Sequence, residues 1–130
     1  TKTILARMRS DAKLIVFEIN PVFAKTLLRL DDARMVVVND SATTLSSYLT
    51  SCGISEVDAV ISTLPLSILD RHTRARILEE VKRVLHPKGR YVQIQYSTVS
   101  KKEIRKKFPV VKIDFTPFNF PPAFVYVCEH

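Results

Sequence analysis

The stretch K-L-I-V-F-E-I-N-P-V-F-A-K-T-L-L-R-L, residues 13–30, decides the fold. Lys13 to Glu18 is a short, continuous apolar run closed by an acid, which reads as a strand. Asn20 then suits a helix N-cap, and Pro21 suits the first helical position, where its missing N–H costs nothing. The unit is strand, turn, helix. It recurs downstream: Arg34 to Asn39 holds M-V-V-V and ends in Asp40, and Ser41 to Ser51 turns back as a helix. Val57 to Ser62, V-D-A-V-I-S, makes a third strand. Runs apolar on both faces and alternating with helices predict an α/β fold with a parallel sheet covered on both sides.

Beyond Leu64-Pro65-Leu66, helical spacing of Ile77, Leu78, Val81, Val84 and Leu85 predicts a helix from about Arg71 to Leu85, stopped by Pro87-Lys88-Gly89. Arg90 to Ser97 alternates, with Val92, Ile94 and Tyr96 on one face and Tyr91, Gln93 and Gln95 on the other. Ser100 and Glu103 have capping-box spacing for a short basic helix ending near Phe108. The final twenty residues read as two strands joined by a Pro-rich loop, hence an antiparallel hairpin. Thr1 to Met8 looks like the back half of a helix, with Ile4, Leu5 and Met8 as its apolar stripe. A doubly wound fold ordinarily opens with a strand. Its first unit is expected to be missing here.

At 130 residues the chain suits one domain, 1–130, N-terminally incomplete in this reading. With 46% hydrophobic and 25% charged residues it calls for a packed core. Two glycines, Gly53 and Gly89, stand where average usage gives roughly nine. No Gly-rich phosphate loop is carried by these residues, which excludes P-loop and kinase-type readings. Cys52 and Cys128 lie far apart with no ligand spacing, so the expectation is two buried thiols and no metal site. The charge of +7 is uneven: residues 71–130 hold thirteen Lys/Arg against five Asp/Glu, and Lys101 to Lys107 is the densest segment. Such a cluster attracts anionic surfaces, phosphodiester or lipid, or else is a solvated helix face. No apolar run approaches the ~20 residues of a membrane span, and the start has no leader pattern, so a cytoplasmic protein is expected, peripheral on the inner membrane face if it binds lipid.

Five motifs in this order, E-I-N-P at 18–21, N-D-S-A at 39–42, S-T-L-P-L at 62–66, L-H-P-K-G-R-Y-V-Q at 85–93 and F-N-F-P-P-A at 118–123, resemble the class I S-adenosylmethionine-dependent methyltransferases. Within that superfamily the chain is most similar to bacterial phospholipid N-methyltransferase-like proteins, which border on the rRNA adenine dimethylases. The resemblance implies a Rossmann-like sheet of order 3-2-1-4-5-7-6 with an antiparallel C-terminal hairpin. The central first strand and its Gly-rich loop would precede Thr1. Without it the sheet is interrupted between the strands ending at Glu18 and at Ser62. The chain then closes that gap itself, exchanges a strand with a second copy as a homodimer, or is unstable alone.

The resemblance also implies roles. S-adenosylmethionine is the cofactor, held by Glu18, Ile19, Asp40, Ser41 and Ser62. Glu18 would accept from the ribose hydroxyls, or be a plain strand-end acid. Asp40 would accept from the adenine amino group while the N–H of Ser41 or Ala42 faces the ring, or Asp40 caps the following helix. Thr63 and Pro65 would line the acceptor pocket, or the segment is a simple turn. Adenine dimethylases carry an aromatic ring where this chain has Leu66, and losing that stacking costs about 1–3 kcal/mol per base. A lipid amine such as phosphatidylethanolamine is favoured over a nucleobase. Tyr96 would orient the amine, or pack on the inner face, the slightly preferred alternative. Partners would be a phospholipid substrate or anionic membrane surface, with Lys101 to Lys107, Phe118 and Phe120 as the docking elements, or else the hairpin is buried and the basic helix merely solvated. The alternatives are an rRNA or other nucleic-acid methyltransferase and a non-catalytic remnant.

Overall fold

The computed structural model describes residues 1–130. Its contacts group into two units, residues 1–44 and residues 45–130.

The first unit contains α1 (Lys2–Arg7), β1 (Leu14–Phe17), α2 (Pro21–Leu28), β2 (Met35–Val38) and a 3-10 turn (Ala42–Thr44). β1 and β2 pair in parallel from Leu14 beside Met35 to Phe17 beside Val38. The opening of α2 follows the sequence expectation, with the Asn20 side chain accepting from the Val22 N–H at 2.9 Å and Pro21 at the first position. Arg34 is the hub of the unit. Its guanidinium donates to the Leu5 and Met8 carbonyls at 2.9 and 3.2 Å, tying down the C-terminal end of α1, and grips Asp32 at 2.7 Å.

The second unit contains α3 (Leu45–Ser51), β3 (Val57–Ser62), α4 (Arg71–Val84), β4 (Leu85–Gln95), α5 (Lys101–Lys107), β5 (Val110–Thr116) and β6 (Ala123–Glu129). The sheet order is β3-β4-β6-β5: β3 and β4 run parallel, and β6 is antiparallel to both its neighbours. That order is the expected 4-5-7-6 run, and β1-β2 form a separate two-stranded sheet, so the interruption falls between the strands predicted. Ile77, Leu78, Val81 and Val84 of α4 are buried. Ile104 of α5 and Phe108 are buried as well, and Phe108 lies 5.2 Å from the Tyr91 ring. Glu80, on α4, accepts from the Ser46 N–H at 2.8 Å and so satisfies the first turn of α3 from another helix.

Four expectations are corrected. The Pro87-Lys88-Gly89 turn lies inside β4 rather than before it, as a bulge: Val57 pairs with Leu85 and Ala59 with Arg90. A Cβ on Gly89 would sit 2.9 Å from the carbonyl oxygens of Asp58 and His86, so only glycine lets the bulge lie against β3. Ser100 and Glu103 form no capping box. Ser100 has helical backbone angles and makes no side-chain cap bond, and the Glu103 carboxylate is drawn away by Arg74 of α4. Cys52 is exposed beside the turn after α3, whereas Cys128 is buried, which pushes its thiol up to about 12. Tyr96, expected to pack inward, is 60% exposed because β4 ends at Gln95.

Candidate active site

In the first unit the acids stand at the carboxyl ends of adjacent parallel strands, the position where open α/β sheets bind ligands. Glu18 follows β1 and is half-buried, with Oε1 accepting from the Asn20 N–H at 2.7 Å. Ile19 beside it is 71% exposed. Asn39 follows β2, and its Nδ2 donates to the Glu18 and Ile19 carbonyls at 2.7 and 3.1 Å, bracing the two strand ends together. Asp40 accepts from the Ser41 N–H at 2.7 Å and from the Thr44 hydroxyl at 3.0 Å. It therefore does hold the turn that follows, while remaining exposed. The Ser41 hydroxyl accepts from the Thr43 N–H and hydroxyl, and the Ser41 N–H is committed to Asp40.

In the second unit Ser62, Thr63, Pro65 and Tyr96 come to the carboxyl end of the sheet, since β3 and β4 are parallel and Ser62 pairs with Gln93. Thr63 and Pro65 are exposed; Ser62 is buried, and its hydroxyl accepts from the Leu64 N–H at 3.3 Å. Leu66 is fully buried in the core. Sequence reasoning missed the residues that fix this segment. Gln93 and Gln95 both point their amides at the Leu64 carbonyl, at 3.0 and 2.7 Å, and the Tyr91 hydroxyl donates to the side-chain Oε1 of Gln93. Burial drives the Tyr91 phenol well above its ordinary pKa, so it stays protonated and remains a donor. The available signal was two amides and a phenol on alternate positions of one strand face. The Leu66 N–H donates to the same oxygen at 2.8 Å, so with three donors on it the Leu64 carbonyl is fully engaged, which leaves Thr63 and Pro65 as the accessible groups of the segment.

No family-level sequence profile matches the chain. It is 34% identical over 132 residues to an ornithine lipid N-methyltransferase of Singulisphaera acidiphila, covering 99% of this chain and 69% of that protein. A shorter match, 33% over 67 residues, links 52% of the chain to 21% of a ribosomal RNA small subunit methyltransferase H of Burkholderia ambifaria. Among solved structures, an rRNA methylase from Streptococcus thermophilus superposes with a TM-score of 0.63 at 21% identity, over 90% of this chain and 73% of that one. The 1,6-didemethyltoxoflavin-N1-methyltransferase of Burkholderia thailandensis, solved with S-adenosylhomocysteine, gives 0.66 at 13% identity, over 89% and 60%. These last two likenesses bear on the fold alone. Taken with a third of residues identical along nearly the whole chain, the strand order and the acids at the ends of β1 and β2 make this chain a member of the class I S-adenosylmethionine-dependent methyltransferases.

Proposed function

We propose that the chain serves methyl transfer from S-adenosylmethionine to the amine of a lipid headgroup. The observation that carries this reading is the match to an ornithine lipid N-methyltransferase along 99% of the chain. The buried, aliphatic Leu66 supports it, because the acceptor segment has no ring at that position with which to stack a base.

The residues of the first unit fit the nucleoside half of the cofactor. Ribose hydroxyls and the adenine amino group are donors, and the half-buried carboxylate of Glu18 and the exposed carboxylate of Asp40 are acceptors. Glu18 has one oxygen bonded to the Asn20 N–H, which fixes the carboxylate. Ile19 offers an apolar side chain next to it. When bound, the cofactor supplies an electrophilic methyl group on a sulfonium. What the protein must add is positioning, since displacement at that carbon needs no protein nucleophile. In the second unit the Thr63 hydroxyl and the Tyr96 phenol are the exposed polar side chains for orienting an amine, and Ser62, locked by Leu64, sets the start of the segment.

The test is transfer of labelled methyl from S-adenosylmethionine to vesicles containing phosphatidylethanolamine or ornithine lipid, with small-subunit rRNA in parallel. Label in the lipid amine, lost with Glu18→Ala, is the expected result. Label in rRNA alone, or none in either with cofactor bound, overturns the lipid reading.

A further inference from the structure

β3, β4 and β5 all end at the same edge of the four-stranded sheet, and β6 begins there, because Ser62 pairs with Gln93, Gln95 with Phe124 and Thr116 with Ala123. Three loops therefore share that edge: 63–70, 96–100 and 117–122. Each presents large apolar side chains to solvent. Ile68 is 80% exposed in the first, Tyr96 and Val99 are 60% and 71% exposed in the second, and Phe118 and Phe120 are fully exposed in the third. Asn119 closes that third loop on the Pro121 carbonyl at 3.0 Å, with the two phenylalanines on either side of it. The opposite edge of the sheet is different. Of the large apolar residues there, only Val110 is open, at 40%, among His86, Lys88, Glu56 and Glu129.

An apolar rim drawn from three separate loops is more than the scattered surface hydrophobics of ordinary domains. Its flank is basic. α5 starts at this edge with Lys101 and Lys102, and while Lys107 is tied to Glu79, no carboxylate pairs with Lys101, Lys102, Arg105 or Lys106. Aromatic and aliphatic side chains beside unpaired lysines match the two layers of an anionic lipid surface, acyl boundary and phosphate. RNA offers the phosphate layer but no apolar layer for Ile68 and Val99. No helix is long and apolar enough to cross a membrane.

We propose that this end of the four-stranded sheet is an interfacial docking surface for an anionic bilayer, with Phe118 and Phe120 as the inserted wedge and Lys101 and Lys102 as the electrostatic flank. The proposal rests on the lipid-amine reading and adds to it an orientation: the edge bearing Thr63 and Tyr96 faces the bilayer.

The chain has no tryptophan, so Phe120→Trp and, at the opposite edge, Val110→Trp are clean reporters. Each is titrated with vesicles of equal phosphatidylglycerol and phosphatidylcholine, without cofactor. A blue shift and quenching by bromolipid for Phe120→Trp but not Val110→Trp is expected. Phe118→Ser/Phe120→Ser should weaken vesicle partitioning at least tenfold, and Lys101→Glu/Lys102→Glu should do so by about fivefold or more per lysine at low salt. Phe118, Phe120 and Lys102 are solvent-facing and Lys101 is half-buried, and thermal melts verify that the folds are intact. An unshifted Phe120→Trp, an equal response from Val110→Trp, or binding of an RNA hairpin with no vesicle binding overturns the proposal. Because this assay involves no methyl transfer, loss of docking with lipid methylation retained removes only the orientation. Docking without methylation removes only the substrate reading.

Discussion

The two units hold themselves together by different means. In residues 45–130, thirteen of the fifteen buried apolar side chains of the chain form a core between the four-stranded sheet and helices α4 and α5. In residues 1–44 only Leu5 and Ala24 are buried, and order comes from a four-rung parallel ladder, the Asn39 brace and the Arg34 hub. The difference teaches where each unit is vulnerable. Removing volume harms the first kind of structure, while removing a donor harms the second.

The largest effect is expected from Leu78→Ala, which hollows the core beside α4 and should cost about 2–5 kcal/mol in chemical denaturation of the chain. Next comes Gln93→Leu, which keeps the volume but deprives the Tyr91 hydroxyl of its acceptor and the Leu64 carbonyl of one donor. A loss of about 1–3 kcal/mol in the same measurement would show that even the core-rich unit depends on its buried amides.

Arg34→Ala probes the other unit. Amide exchange at residues 3–8 should rise to that of a free six-residue helix, which is too short to persist alone, while exchange in β3–β6 stays unchanged. Acid does the same by degrees. The Arg34 side chain bonded to Asp32 holds that carboxyl at about 2, below its ordinary 3.8. A depressed folded-state value means the stabilisation is fully present above the ordinary value and is lost as pH falls through about 2. Melts of the wild type and Asp32→Asn should therefore differ at pH about 5 and converge only below pH about 2. The smallest effect has the opposite sign. Tyr126 buries a hydroxyl with no hydrogen-bond partner, so Tyr126→Phe should raise the melting temperature slightly, by no more than about 1 kcal/mol in stability.

What was legible in sequence follows the same division. β1, β2 and β3 were legible because an apolar run bounded by an acid or a turn needs no distant information, and α4 because its stripe repeats at helical spacing. The acids Glu18 and Asp40 were legible as strand-end residues for the same local reason. The buried face of β4 was not. By composition Val92 and Ile94 outrank Gln93 and Gln95 as core residues, yet the glutamines are inside because the Leu64 carbonyl, about thirty residues away, is there to receive them. Glu103 was misread as a capping residue on the same ground, since its partner Arg74 lies on another helix. Local pattern carries a bond only when both ends of it are local.

The Asn39 brace has a thermodynamic consequence. By bonding the carbonyls of Glu18 and Ile19 from the end of β2, its amide makes the two acid-bearing strand ends one body. The conformational entropy of fixing Asp40 relative to Glu18 is then surrendered during folding. A ligand that engages the first carboxylate meets the second already in register, and the cost of ordering is not charged again against its affinity.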